Sequence, residues 1–293
     1  MKSARFFVVF LLGVAMTVQV ARCGPVFAQT RAGAGKAASS AKTSKSAGEL
    51  GSQEQLNGAL LQAVAVNDIP GARKAVRKGA SPDAADGDSV TAIMKAALYG
   101  YPEMVDLLLR LGADPNLQDN NGNTAVVMAA WSGYAEIVRT LTTAGASTAV
   151  QAEGTVPLPM DRGMTPLMAA SITGDRDIVR QLLESGVKVN LRDRDGQTAL
   201  MNAVRYGHGE IANMLLINGA KMDMRDRYGR TALMLSVVFD QPGIVRLLIS
   251  RGANLYLIDK GGMSASKYAN ALERDSILQM LKDAGVRPYK GRY

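Results

Sequence analysis

The chain has 293 residues, of which 34 are basic and 26 are acidic, and it contains one cysteine and one histidine. The formal charge of +8 is concentrated at the N-terminus, because from residue 51 onward 27 basic residues face 25 acidic ones. Nucleic-acid binding is not expected from such a balance, since it calls for a basic surface on the folded domain. A single cysteine also excludes a disulfide within the chain.

The first 28 residues have the pattern of a secretory signal peptide. Basic residues precede an uncharged run from residue 6 to 20, and small residues lead to a predicted cleavage site after Ala28. The run is shorter than the roughly 20 apolar residues that span a bilayer. We therefore expect a periplasmic or otherwise exported protein with no membrane span after cleavage. The alternative is an uncleaved N-terminus that tethers the protein. A lipid anchor at Cys23 is disfavoured, because Arg22 precedes it.

Residues 29–50 are predicted to form a flexible basic linker. The segment consists mainly of alanine, glycine, serine and lysine, and it holds almost nothing that a core could bury.

From residue 51 to the end, two markers recur with a period of 33 residues and one interval of 41. The first marker is a hydroxyl residue, at Thr91, Thr124, Thr165, Thr198, Thr231 and Ser264. The second is a glycine followed by Ala or Val, at Gly79, Gly112, Gly145, Gly186, Gly219, Gly252 and Gly285. Units of this length cannot bury their apolar faces alone and must stack. The predicted units span about 52–86, 87–120, 121–161, 162–194, 195–227, 228–260 and 261–293.

Each unit is predicted to contain two helices. The threonine suits the N-cap of the first helix, and a glycine ends it at 100, 133, 174 and 207, with Asp240 and Asn67 at the same place in two other units. The second helix has an apolar stripe at helical spacing. An Asp-x-x-Gly-x-Thr segment between units predicts a hairpin-like turn.

These features resemble ankyrin repeats, and the stretch GMTPLMAASITGDRDIVRQLLESGVKVN carries the resemblance most plainly. The resemblance covers about residues 52–293 and implies an all-α solenoid of about seven helix pairs. Where the family usually has histidine after Thr-Pro-Leu, this chain has Met94, Val127, Met168, Met201 and Met234, which we expect to fill the core. Gly58 and Lys267 depart from the pattern in the end units, as capping units require.

The sequence offers no arrangement for catalysis. The only histidine, His208, follows Gly207 at a position where the repeat pattern itself often has histidine, so a structural role is expected. One imidazole without cysteine makes a zinc site improbable. The recurring Asp119, Asp193, Asp226 and Asp259 occupy the turn position and indicate architecture rather than acid–base chemistry. We predict no enzyme, no cofactor and no metal.

The resemblance implies that a partner protein binds the concave side, which consists of the inter-unit turns and the exposed face of the first helices. Aromatic and arginine side chains recur at these positions and often dominate interface energetics. The candidate residues are Tyr99, Trp131, Arg205, Tyr206, Tyr228, Arg230 and Phe239. Further cations at the turns are Arg162, Arg194, Arg227 and Lys260. The alternative is that these side chains only pack between neighbouring units.

The predicted function is a monomeric, non-catalytic scaffold for a partner protein, and the alternative is an inhibitor or immunity-type protein that blocks a target enzyme.

The interval of 41 residues places an insertion within residues 147–161. Surface loops tolerate such lengthening, yet the Val-Pro-Leu-Pro run in it is apolar and stiff. The insertion is therefore either neutral or a secondary contact site.

Overall fold

Seven consecutive pairs of α-helices form the part of the chain that the structure, a computed structural model, describes: residues 47–149 and 163–285. The first helices of the pairs, called inner helices below, are Ala47–Ala65, Ala92–Tyr99, Ala125–Ser132, Pro166–Thr173, Ala199–Arg205, Ala232–Val238 and Ala265–Ala271. The second helices, called outer helices, are Ile69–Arg77, Pro102–Arg110, Ala135–Thr143, Arg176–Glu184, Gly209–Ile217, Pro242–Ser250 and Asp275–Asp283. Within these residues the extended pairings are isolated antiparallel bridges, Ala85 with Thr91 and Ile258 with Ser264.

Some sequence predictions fall on residues that the structure does not describe. These are the signal peptide of residues 1–28, most of the linker, and residues 150–162, which include most of the insertion. The first helix begins at Ala47, so its first turn overlaps the end of the segment 29–50 that was predicted to be a linker.

Hydroxyl side chains cap most inner helices, as predicted. Thr165 accepts a hydrogen bond from the backbone N–H of Met168 at 3.3 Å, and Thr198 accepts one from Met201 at 3.2 Å. Thr91, Thr231 and Ser264 make the equivalent bond. Thr124 occupies the same place without such a bond. These caps satisfy an N–H that has no partner within the helix.

The turn between the two helices of a pair uses left-handed backbone, which explains the residue types there. Gly174 has φ +82° and ends its inner helix. Asn67 and Asp240 adopt φ 55° and 53° at the equivalent turns, and their short polar side chains tolerate this conformation. Glu273 does the same in the last pair, at φ 58°. The predicted glycine, asparagine and aspartate turns are thus confirmed.

The core runs continuously along the stack of pairs. Each inner helix packs against the inner helices of its neighbours, and the outer helices stack in the same order. The contact between Ala125–Ser132 and Pro166–Thr173 continues this stack across residues 150–162. The residues predicted to replace the family's histidine are buried in the core: Met94, Val127, Met168, Met201 and Met234 are each 1% exposed.

Neighbouring units are also joined by a recurring hydrogen bond. Asn190 accepts a bond from the backbone N–H of Lys221 at 2.8 Å, and Asp223 accepts one from Asn254 at 3.0 Å. Asp83 and Asn116 make the same bond to the unit that follows. Because each bond crosses a unit boundary, a unit is stabilised mainly by the units next to it.

The last pair adapts its core position to an end. Lys267 stands where other units have a buried methionine or valine, and it is half-buried with its Nζ donating to the carbonyl of Gly262 at 3.0 Å. The alkyl stem therefore covers the core while the ammonium keeps a polar partner. This agrees with the capping role predicted for the last unit.

Candidate functional site

The aspartates that recur at regular spacing in the inter-unit turns stabilise those turns. Asp119, Asp193, Asp226 and Asp259 are between 3% and 9% exposed, and each accepts the backbone N–H of the residue four positions later. A turn hydrogen bond closes the same segment, as from the N–H of Asp226 to the carbonyl of Arg230 at 2.9 Å. These carboxylates are therefore bound within the turns, and the predicted hairpin-like geometry is confirmed.

Neighbouring turns lie side by side along an edge, called the finger edge below. The structure describes this edge in two runs, at residues 86–90 and 119–123 and at residues 193–197, 226–230 and 259–263. The N–H of Arg227 donates to the carbonyl of Asp195 at 2.7 Å, and the N–H of Lys260 donates to the carbonyl of Tyr228 at 2.9 Å. Each turn thus fixes the position of the next. Side chains at equivalent positions project from the finger edge in a regular row.

One of the seven candidate residues does not fit an interface. Arg230 is 7% exposed, and its Nε and Nη2 donate to the Oδ2 of Asp226 at 2.8 and 2.7 Å. The prediction that Arg230 contacts a partner is corrected accordingly. The residue lies just before the capping Thr231, at a position whose side chain is turned into the stack, so its guanidinium neutralises a buried carboxylate.

Tyr228, two residues earlier, lies on the surface of the finger edge and is 45% exposed. The guanidinium carbons of Arg227 and Arg230 lie 4.7 and 4.6 Å from its ring centroid, within the range of a cation–π interaction. Arg227 also binds the Tyr228 hydroxyl, which raises the pKa of Arg227, and it forms an ion pair with Asp195 at 2.5 Å. The ring is held in place and remains available for contact.

The candidates at the C-terminal ends of the inner helices divide into two groups. Tyr99 and Tyr206 are exposed, at 39% and 36%. Trp131 and Phe239 are half-buried and pack against the core, and the Phe239 ring lies 5.4 Å from the guanidinium carbon of Arg205 in the preceding unit. For Trp131, Arg205 and Phe239, packing between neighbouring units therefore accounts for much of the side chain.

The structure adds an aromatic residue that the sequence reasoning missed. Tyr134 is 38% exposed, and its ring lies over Gly100 of the preceding unit, where a β-carbon would meet it at 2.4 Å. Tyr99 and Tyr101 flank the same glycine, with ring centroids 5.9 Å apart. The residue directly after the turn glycine reaches back over the preceding turn in other units as well. Its place in the repeat was therefore a sequence signal from which Tyr134 could have been identified.

His208 shows this reach most clearly and has a structural role, as predicted. Its Nε2 lies 3.0 Å from the carbonyl oxygen of Ile172, and its ring covers Gly174 of the preceding unit. Gln241 covers Gly207 in the same way. The imidazole therefore links two units.

Arginine side chains extend along the finger edge in the C-terminal half. Arg192 donates from Nη2 to the carbonyl of Arg225 at 2.6 Å, and Arg225 donates from Nη1 to the carbonyl of Ile258 at 3.1 Å. Arg194, Arg227 and Lys260 are exposed at equivalent positions of three successive turns. Arg162, the remaining turn cation of the sequence prediction, lies outside the described residues.

The described residues contain neither a metal-type cluster nor a membrane-spanning helix. No cluster of three or more histidine, cysteine, aspartate or glutamate side chains has the arrangement to hold a metal ion in that part of the chain. None of its helices combines the length and apolar character needed to cross a bilayer.

Comparison with known proteins identifies the repeat. A family model described as ankyrin repeats (3 copies) matches residues 60–152 and 150–226, and a single ankyrin-repeat model matches residues 228–260. Among solved structures, the crystal structure of the human ASB11 ankyrin repeat domain is similar to this chain with a TM-score of 0.66 and 24% sequence identity, over 78% of this chain and 98% of that one. No curated protein matches it. The fold is an all-α ankyrin solenoid, and the chain belongs to the ankyrin-repeat family.

Proposed function

We propose that this protein is an exported, non-catalytic scaffold that binds a partner protein on the concave side of its ankyrin array. The observation that carries the proposal is the set of exposed tyrosines at turns and helix ends, Tyr99, Tyr134, Tyr206 and Tyr228. Tyrosine gives a large contact area at a small cost in conformational entropy. Ankyrin arrays as a class serve protein–protein interaction, and the recurring buried aspartates of the finger edge accept hydrogen bonds within their own turns.

Neighbouring residues keep two of these rings in place before a partner binds. The guanidinium groups of Arg227 and Arg230 lie against the Tyr228 ring, and the Tyr134 ring packs over Gly100. Side chains that are ordered before binding lose little entropy on binding, so each can contribute more to affinity. On the turns either side of Tyr228, Arg194 and Lys260 are exposed and supply polar contacts at the rim.

A pull-down with quantified affinity tests the proposed surface. The partner is captured by crosslinking from the exported fraction, identified, and then titrated against the purified chain and the double variant Tyr99→Ala and Tyr206→Ala. Loss of about 2 kcal/mol of binding free energy per anchor is expected, which weakens binding by more than 100-fold for the pair. The control is Ile217→Ala, because Ile217 is 65% exposed at the end of an outer helix.

Equal affinity of the double variant and the native chain would refute the assignment of the concave side. Where the captured partner is an enzyme, its activity in the complex separates the scaffold from the inhibitor. A scaffold leaves turnover unchanged, whereas an inhibitor abolishes it at saturation.

The proposal of export rests on residues 1–28 and has its own test. N-terminal sequencing of the protein recovered from the periplasm or the medium is expected to begin at Gln29. A chain that begins at residue 1 and sediments with membranes would establish the tethered alternative instead.

A further inference from the structure

The outer helix of the first pair, Ile69–Arg77, has a surface unlike that of any other outer helix. It carries Arg73, Lys74 and Arg77, and Lys78 follows as its C-cap. All four side chains are exposed, and none forms an ion pair within the described residues. The spacing places them on two adjacent rows of one helix face, so their charges add.

Five of the six other outer helices carry acidic residues. Pro102–Arg110 pairs Arg110 with Asp106 at 2.5 Å, and Arg176–Glu184 pairs Arg180 with Asp177 at 2.9 Å. The three helices Ala135–Thr143, Gly209–Ile217 and Asp275–Asp283 also carry an acidic residue in their first turn. Pro242–Ser250 has no acid and carries Arg246, with Arg251 as its C-cap, which makes two cations against the four of the first pair. The concentration of unneutralised cations is thus particular to the first pair, and the repeat pattern does not require it.

The surroundings of these cations are apolar and open. Together with Ile69 and Pro70 they line a depression of about 470 Å³. Val66, at the end of the preceding helix, is 67% exposed. The nearby acid, Asp68, accepts the backbone N–H of Gly71 at 3.0 Å as the N-cap of the helix. We call this surface, Val66 to Lys78, the cationic face.

We infer that the cationic face binds the anionic phospholipid surface of a membrane. Clustered lysines and arginines beside exposed apolar side chains are the combination that holds proteins at such surfaces, each cation adding to the attraction. Mobile lipid headgroups adapt to any spacing of cations. Specific binding of an acidic peptide calls for cations held in fixed positions, and no hydrogen bond or ion pair within the described residues holds these four side chains.

This face is separate from the proposed partner surface, since it includes no residue of the finger edge or of the inner-helix ends that carry Tyr99 and Tyr206. The array can therefore be held at a membrane with its concave side free for a protein. The inference does not depend on the identity of that protein.

Vesicle sedimentation with the full chain tests the inference. Binding is measured to vesicles of phosphatidylcholine alone and of phosphatidylcholine mixed with phosphatidylglycerol, at low and high ionic strength. The variant replaces the four cations of the face: Arg73→Gln, Lys74→Gln, Arg77→Gln and Lys78→Gln. We expect its partition onto the mixed vesicles to fall by about tenfold or more at low salt. High salt should weaken the native chain towards the same level.

A matched control removes four cations that are dispersed along other units: Arg139→Gln, Arg180→Gln, Arg246→Gln and Arg251→Gln. It has the same net charge and the same N-terminus as the test variant, so the apolar run of residues 6–20 affects both equally. The control should keep its binding to within about twofold. Circular dichroism melting confirms that both variants fold.

Equal losses in the two variants, or no loss in the test variant, would overturn the inference. Unchanged vesicle binding by the test variant with lost binding to polyglutamate would assign the face to an acidic polypeptide instead. Pull-down of the protein partner by the test variant keeps the two proposals distinct, because the lipid inference predicts full capture.

Discussion

The buried ion pair of the turn 226–230 provides a sharp test of the structure. Asp226 has a side chain with 0% exposure, and its Oδ2 accepts from Arg230 Nε, Arg230 Nη2 and Gln197 Nε2, at 2.8, 2.7 and 3.0 Å. Its Oδ1 accepts the backbone N–H groups of Tyr228 and Arg230. The substitution Asp226→Asn keeps the oxygen that serves the backbone. It replaces the other oxygen with an amide donor that faces three donors.

The magnitude follows from what remains buried. With Asn at 226, the guanidinium of Arg230, whose side chain is 8% exposed, has lost its counter-charge. Removing one partner of a buried pair costs about 3–5 kcal/mol, since the other charge stays desolvated. Replacing the second partner as well, with Arg230→Met, should recover about 2 kcal/mol or more of that loss, because no charge is then left without a partner.

Asp119→Asn is the matched control. Asp119 occupies the same place in the turn 119–123 and is 8% exposed, but its side-chain partner is the neutral Asn123. The cost there should be about 1 kcal/mol, the size of a typical hydrogen bond.

Urea unfolding followed by circular dichroism gives the free-energy changes, and hydrogen exchange shows whether protection is lost first in the fifth and sixth units, as expected for nearest-neighbour coupling. The reasoning is refuted if Asp226→Asn costs no more than Asp119→Asn. Additivity of Asp226→Asn and Arg230→Met to within about 0.5 kcal/mol would refute it equally.

Two further predictions concern stability. Gly174→Ala should lower the free energy of unfolding by about 2 kcal/mol or more, because the φ of Gly174 is +82° and the new β-carbon would lie 2.5 Å from His208. Gly186→Ala, at φ +77° with open space around it, should lower it by about 1 kcal/mol from the backbone alone. Thermal melting compares the two variants, and equal losses would contradict the contact with His208. Burial opposes ionisation of Asp86, yet its hydrogen bonds, first that from Lys95 at 2.6 Å, hold its pKa below the usual value. A carboxylate whose pKa is lowered by folding stabilises the protein at pH values above its unfolded pKa of about 4, and this stabilisation is lost as the pH falls further. The stability difference between the native chain and Asp86→Asn should therefore shrink below about pH 4 in acid-unfolding curves. A constant difference would contradict the pairing of Asp86 with Lys95.

The sequence by itself determined the repeat and the local structure of each unit. Period, helix caps and turns were predictable because they depend on residues within one unit: the hydroxyl of Thr165 finds the N–H of Met168 three positions later, and Gly174 takes a left-handed turn that few other residues adopt. The apolar stripes gave the core positions because burial on a helix follows its periodicity.

Only the tertiary structure decided which candidate side chains reach the surface. Arg230 and Tyr228 lie two residues apart in one turn, yet one is 7% exposed and the other 45%. Arg230 binds the buried carboxylate of Asp226, and the same carboxylate oxygen accepts a hydrogen bond from Gln197 of the neighbouring turn. Gln197 lies about one repeat away in the sequence. Phe239 is likewise half covered by the core and by Arg205 of the preceding unit. Exposure in a stacked array is set by the next unit, so a pattern read within one repeat cannot determine it.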